Sequence, residues 1–371
     1  MYRIVASASS GVPISSVAFT GPGELVTGTV TGALVTWGLD QSELVPKAEI
    51  TGRADHLTDG VVALTAASDR KTLAVSTFHN RISVYRVAGD AGASTGAEGD
   101  EDTQVSTSSE PTGANGAGAK TSEFELTDVL SVPNTRPWKL KFDPSNCNTL
   151  FASTSHGGVV RWDLQDADAE EPEYAYGTAP PAADKAPGGE APAESSDGPA
   201  FASALDVSVD GTLLAVGHVD GAIAVSHATR GDAQEPKAVL QTKVTGSVRC
   251  VAFNTDGDLL LVASSLGVVY LFDVVGGELL RTFAGHEGAV QCVVPNPAGQ
   301  YFSTGDVFGR VRVWDLKTAE CVHQWEAGSA VLDMAYAPDG SLIAIADGSG
   351  TVQVCTVATP EVVHKLPAKK T

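Results

Sequence analysis

One pattern recurs along this chain at intervals of about forty residues, and it leaves few folds open. Its clearest copy runs from Arg281 to Trp325. A Gly285-His286 pair is followed by alternating apolar residues, Val290, Cys292 and Val294. A turn at Pro297 and Gly299 leads into Tyr301–Ser303. A Gly-Asp turn follows, and a third run ends on Val311, Val313, Trp314 and Asp315; Cys321–Trp325 supplies a fourth. Period-two alternation broken by Gly, Pro and Asp reads as four short antiparallel strands. Such a sheet has two apolar faces and can bury neither alone, so it must stack against copies of itself.

Six further copies lie over this one: Ile14–Leu39, Val61–Val87, Arg136–Leu164, Ala202–Ala228, Ser247–Val274 and Ala330–Val357. The residues standing where Trp314 stands are Trp37, Tyr85, Trp162, Ser226, Phe272 and Cys355, and their successive spacings are 48, 77, 64, 46, 42 and 41. Seven copies predict an all-β fold, a seven-bladed β-propeller. Seven blades need roughly 294 residues, so the 371 residues form one domain, 1–371, with two insertions. These are the stretches of about 88–122 and 165–199, made of Gly, Ala, Ser, Thr, Pro and acid, with little to bury; they are expected to be disordered. Both are placed between the third and fourth strands of their blades, two and three, and so on one face. Lengthening such a loop from a few residues to forty costs only about 1.8 kcal/mol of closure entropy, which a closed ring can carry.

A propeller is often closed by a strand from the far terminus, added to the outside of the last sheet. Tyr2–Ala8 is favoured for this place. Glu361–Pro367 is its rival, because EVVHKLP resembles the outer strands ECVHQW and ELLRTF.

The net charge of −21 argues against broad attraction to nucleic acid or an anionic membrane. Residues 90–122 and 165–199 contribute −5 and −8 of it, so the blades themselves are only mildly acidic. No apolar run is long enough to span a bilayer, and MYRIVASASS is too short and too strand-like for a secretory signal. The five cysteines, Cys147, Cys250, Cys292, Cys321 and Cys355, show no Cys-x-x-Cys spacing and suit a reducing compartment, cytosol or nucleus.

Chemistry is sparsely signalled. The eight histidines show no metal spacing, and no nucleophile elbow or phosphate loop occurs, so no catalytic residue, metal or cofactor is assigned. WD-repeat blades often carry a buried His, Ser/Thr, Asp and Trp set that satisfies polar groups inside the sheet. Blade six offers His286, Thr304 and Trp314, but the acid expected six residues before the Trp is replaced by Phe308. Only blade four has an acid at that place, Asp220. Binding is expected at the channel-mouth face, where first strands begin. The residues there are Ser15, Val62, Trp138, Ser203, Arg249, Gln291 and Leu332. Trp138 stands out as a large aromatic poorly placed for the inter-sheet core, and Trp and Arg are the commonest interface anchors. Arg249 could meet a partner carboxylate or carbonyl. Phe78, His79, His156 and Phe308, in second-to-third-strand turns, would extend the patch.

These residues also resemble a family, the WD-repeat subunits of the superkiller (Ski) complex, known as the eighth superkiller protein family. The likeness lies in Tyr2-Arg3-Ile4-Val5, Gly60-Val61-Val62, Pro137-Trp138-Lys139-Leu140-Lys141-Phe142, and Val311-Arg312-Val313-Trp314-Asp315-Leu316 with Thr318 and Cys321-Val322-His323. It implies a non-enzymatic scaffold. Its partners would be a tetratricopeptide-repeat protein and an RNA helicase serving exosome-mediated mRNA decay, in the cytoplasm and also the nucleus. Direct contact with nucleic acid or membrane is not expected, on the ground of the charge. Family members grip short motifs containing Gln-Arg and a large apolar residue, on the face that here carries Trp138 and Arg249. Ser15, where the family can have Trp, and the two insertions depart from that pattern. Another adaptor role, in an RNA polymerase II-associated factor or chromatin complex or as a ubiquitin-ligase receptor, is the alternative. The ligase motif Trp-Asp-x-Arg is missing at Trp162-Asp163-Leu164-Gln165 and at Trp314-Asp315-Leu316-Lys317.

Overall fold

The computed structural model describes residues 2–40, 43–50, 60–78, 80–87, 124–132, 135–165, 172–177, 200–228 and 238–357. The described residues form seven four-stranded antiparallel sheets, one per repeat, as expected for a seven-bladed β-propeller. Blade six is Val290–Pro295, Tyr301–Asp306, Arg310–Asp315 and Cys321–Glu326, in that spatial order.

The position of each strand in its sheet follows from its composition. Second strands are mostly apolar or hydroxylated and are buried beyond their first residue, and Thr72–Thr77 and Thr149–Thr154 are buried end to end. Outer strands face water, as in Leu279–Ala284, where only Phe283 is buried. The core is a ring of interfaces and has no centre. Each of the seven apolar clusters joins two neighbouring blades and no others. One packs Ile82 and Leu130 of blade two against Phe142, Leu150 and Trp162 of blade three. The residues aligned with Trp314 are all buried, from Ser226 and Cys355 to Trp37. The blades approach closely enough that a Cβ on Gly305 would come within 2.5 Å of Val331 Cγ1 in the next blade.

The N-terminal strand closes the ring. Tyr2–Ser9 pairs antiparallel with Thr351–Val357, making the outer strand of blade seven. Its rival, Glu361–Pro367, lies outside the described residues. A second latch crosses the same seam. Asp333 of blade seven accepts hydrogen bonds from Ser16 Oγ at 2.7 Å and Val17 N at 2.9 Å in blade one.

One expectation needs correction. The stretch 165–199 is not a single insertion inside blade three. Glu173–Tyr176 is that blade's outer strand, pairing with Val159–Arg161, so residues 166–171 fall inside the blade. Residues 178–199 fall between this outer strand and the first strand of blade four, Ala202–Val207. Strands alternate in direction, so this connection opens on the opposite face from residues 88–123, which do join the third and fourth strands of blade two. The expected disorder falls on residues outside the described ones.

Candidate functional site: the channel mouth

Antiparallel alternation sorts the turns. Second-to-third turns and outer-to-first connections gather at one end of the central channel, the mouth face. The remaining turns gather at the other end. The first strands line the channel, a cavity of about 630 Å³ whose wall includes Ser16, Lys139, Asp206, Cys250 and Asp333.

The seven residues expected at the mouth are equivalent in space, and a shared irregularity places them. In every first strand the pairing register shifts across this position: between Ile14 and Ser16, Val61 and Ala63, Pro137 and Leu140, Ala202 and Ala204, Val248 and Cys250, Val290 and Cys292, Val331 and Asp333. A bulge of this kind lifts a side chain out of strict alternation and re-aims it.

What the seven can offer differs. Arg249 is exposed. Val62, Gln291 and Leu332 are half-buried. Trp138 is 37% exposed and rests one edge on Phe201, with ring centroids 5.2 Å apart at 76°. It therefore both packs locally and presents a face. Ser15 is half-buried and donates to Gly28 O at 3.0 Å. Ser203 does not belong in a binding set. It is buried, and its hydroxyl lies 2.6 Å from Val248 O and 3.2 Å from Gly217 O, inside the joint between blades four and five.

Around these, the second-to-third turns carry the face's exposed apolar residues: Val30, Phe78, Val219, Leu266 and Phe308, the last 64% exposed. Val219 and Leu266 escaped the sequence reading, which sought aromatics and histidines at these turns. His156 is exposed and bonded to Thr135 Oγ1 at 2.9 Å, while His79 lies outside the described residues. The opposite face and rim also expose apolar residues, among them Val209, Val275 and Leu280, but no large exposed Trp or Phe among the described residues.

The buried polar set of blade six is complete, contrary to expectation. Its acid is Asp306, at the end of the second strand, eight residues before Trp314. His286 Nδ1 lies 2.7 Å from Asp306 Oδ2, His286 Nε2 2.6 Å from Thr304 Oγ1, and Trp314 Nε1 donates to Thr304 Oγ1 at 2.9 Å. One proton arrangement satisfies all of them: Trp314 donates to Thr304, Thr304 donates to Nε2, and Nδ1 donates to the carboxylate. That arrangement needs a neutral imidazole. Burial holds the His286 pKa below the usual histidine range, outweighing the pull of Asp306. Asp306 Oδ1 also accepts the backbone N–H groups of Phe308 and Arg310, each at 2.9 Å. The set therefore rigidifies the turn that displays Phe308. Asp220 serves differently, on the turn itself, paired with Lys243 at 3.0 Å.

The channel wall is polar but largely self-satisfied. Lys141 pairs with Asp206 at 2.7 Å, which raises the lysine pKa, and Asp206 also accepts Phe253 N at 2.8 Å. Burial raises the Asp333 carboxyl above the usual range, against the opposing pull of Lys139. Cys250 and Cys292 are likewise raised by burial, away from reactive thiolate. Among the described residues, no group of three or more His, Cys, Asp or Glu could hold a metal ion, and no helix is long and apolar enough to cross a membrane.

Blades, bulges and the buried set of blade six together define the class: this is a β-propeller built of WD40 repeats. Residues 277–315 match the family described as WD domain, G-beta repeat, and residues 229–294 and 312–371 match the family described as Anaphase-promoting complex subunit 4 WD40 domain. Among curated proteins, the chain is similar to eukaryotic translation initiation factor 3 subunit I. It is 40% identical to that of Aspergillus terreus and 38% to that of Aspergillus fumigatus, each over 102 residues, 27% of this chain and 30% of the relative. To that of Neosartorya fischeri it is 35% identical over 117 residues, 30% of this chain and 34% of the relative. The similarity thus spans about a third of these relatives' length.

Proposed function

We propose that this propeller is a non-enzymatic adaptor whose mouth face binds short segments of protein partners. The observation that carries the reading is the coincidence of Trp138, Phe78, Leu266 and Phe308, all exposed, on one face, with Arg249 among them. Monomeric surfaces rarely gather apolar residues this way without a partner.

Two assemblies follow from two likenesses. The superkiller resemblance proposes a tetratricopeptide scaffold and an RNA helicase, in mRNA decay, in cytoplasm and nucleus. The relatives named above are subunits of a translation initiation factor and lend the decay assembly no support. Their likeness proposes such a factor instead. Both make the chain a scaffold subunit of a larger complex.

One experiment tests the face and separates the assemblies: affinity purification of the tagged protein from its own cells, wild type beside Trp138→Ala, with mass spectrometry. Partners should fall several-fold in the variant, since an interface Trp typically contributes about 2 kcal/mol or more. Unchanged recovery would remove the mouth face from the proposal. A helicase with a tetratricopeptide scaffold would favour decay, and initiation-factor subunits would favour translation.

A further inference from the structure

The charges around the mouth are unevenly answered. Arg136 and Arg249 are exposed and form no ion pair among the described residues. Lys139, half-buried just inside, uses its backbone N–H on Ser153 Oγ, while its ammonium forms no ion pair among the described residues and feels Asp333 of the channel wall only at longer range. Two described acids of the same face are already engaged. Asp220 pairs with Lys243 at 3.0 Å, and Glu287 with Arg310 at 2.8 Å. Asp333, in the channel wall, is committed to Ser16 and Val17. The face that carries the exposed Trp138 thus also presents two exposed arginines outside any ion pair, in a chain of net charge −21.

We infer that the mouth selects an acidic partner segment, with a carboxylate read by Arg249 and Lys139 and a large apolar side chain laid on Trp138. The inference rests on the adaptor reading and narrows it. Two unpaired cations gain charge-assisted hydrogen bonds from a carboxylate, whereas a partner arginine would bring like charge to Arg249. It therefore departs from the Gln-Arg motif that the superkiller resemblance implies. The apolar rim at Phe308 and Leu266 excludes water from such contacts and strengthens them.

Fluorescence polarisation on the full chain tests this with three labelled synthetic peptides. The first places Glu and Asp on both sides of a Leu-Phe pair. The second replaces those acids with Gln and Asn, and the third with Arg. The acidic peptide should bind roughly tenfold tighter than the amide peptide, and tighter still than the arginine one. Arg249→Gln, at an exposed site, and Lys139→Met, which keeps the stem, should each bring the acidic peptide down to the amide peptide's affinity. Equal or tighter binding of the arginine peptide would overturn the inference. So would acidic binding indifferent to both substitutions, binding by none of the three, or displacement of the acidic peptide by single-stranded RNA. The adaptor reading is judged separately: if Trp138→Ala still strips partners in the purification while the arginine peptide wins here, the face stands and its acid selectivity falls.

Discussion

Trp162 departs from the rule that its sister residues obey. Trp37 Nε1 donates to Thr27 Oγ1, and Trp314 Nε1 to Thr304 Oγ1, both at 2.9 Å. Thr27 and Thr304 are the fourth residues of their second strands; in blade three that place is Ala152. Trp162 Nε1 is accordingly buried without an acceptor. A buried, unpaired donor costs about 1–3 kcal/mol. Ala152→Thr should therefore stabilise the protein by about 1 kcal/mol, read as a higher urea midpoint with an unchanged slope. A lower midpoint would mean that the blade two–three interface has no room for the side chain. The same set marks where single-residue reading failed. Counting back from Trp314 found Phe308 at the expected place, yet the carboxylate that matters stands at a strand end, where it meets both His286 and the turn N–H groups. Ser203 misled for a related reason. Its sequence position is that of Trp138 and Arg249, but its short side chain turns into the joint with blade four's neighbour.

At the scale of strands, sequence repeat and sheet are out of phase. The matched WD repeat, 277–315, starts at the outer strand of blade five and ends at the third strand of blade six. Each repeat thus gives one strand to the sheet before it, and the first repeat must give Tyr2–Ser9 to the last sheet. That stagger made ring closure legible, as the recurring turns made the blades legible. Glu173–Tyr176 was illegible because four residues between acidic and proline-rich stretches carry almost no pattern; the alternation of Tyr174, Ala175 and Tyr176 was the one available cue. The closing seam also depends on Asp333, whose removal would leave the Val17 N–H without its acceptor and the Ser16 hydroxyl with only the longer contact to Leu64 O at 3.4 Å. Asp333→Ala should cost about 3 kcal/mol. Asp333→Asn keeps an acceptor and should cost about 1 kcal/mol or less. Equal losses in thermal or urea unfolding would show that the charge, and not the acceptor, holds the seam.

At the scale of the molecule, a ring of pairwise interfaces separates fold from surface. The seven clusters need only apolar residues at strand positions, so the faces are left to carry function. The field of that surface is set by net charge. At −21 the chain repels a polyanion at long range, and the mouth cations act only within about a Debye length, some 8 Å at physiological salt. A single carboxylate can enter that distance; a phosphate backbone must bring its neighbours past Glu287, Asp220 and the acidic remainder. Non-specific nucleic-acid affinity comes from counterions displaced by many cations, and the few on this face displace few. Mobility-shift titration with single-stranded RNA at physiological salt should therefore show no complex below roughly 0.1 mM protein. A micromolar complex that weakens steeply with added salt would instead make the mouth a nucleic-acid site. It would also move the chain's role in either RNA-centred assembly from positioning proteins to holding the RNA itself.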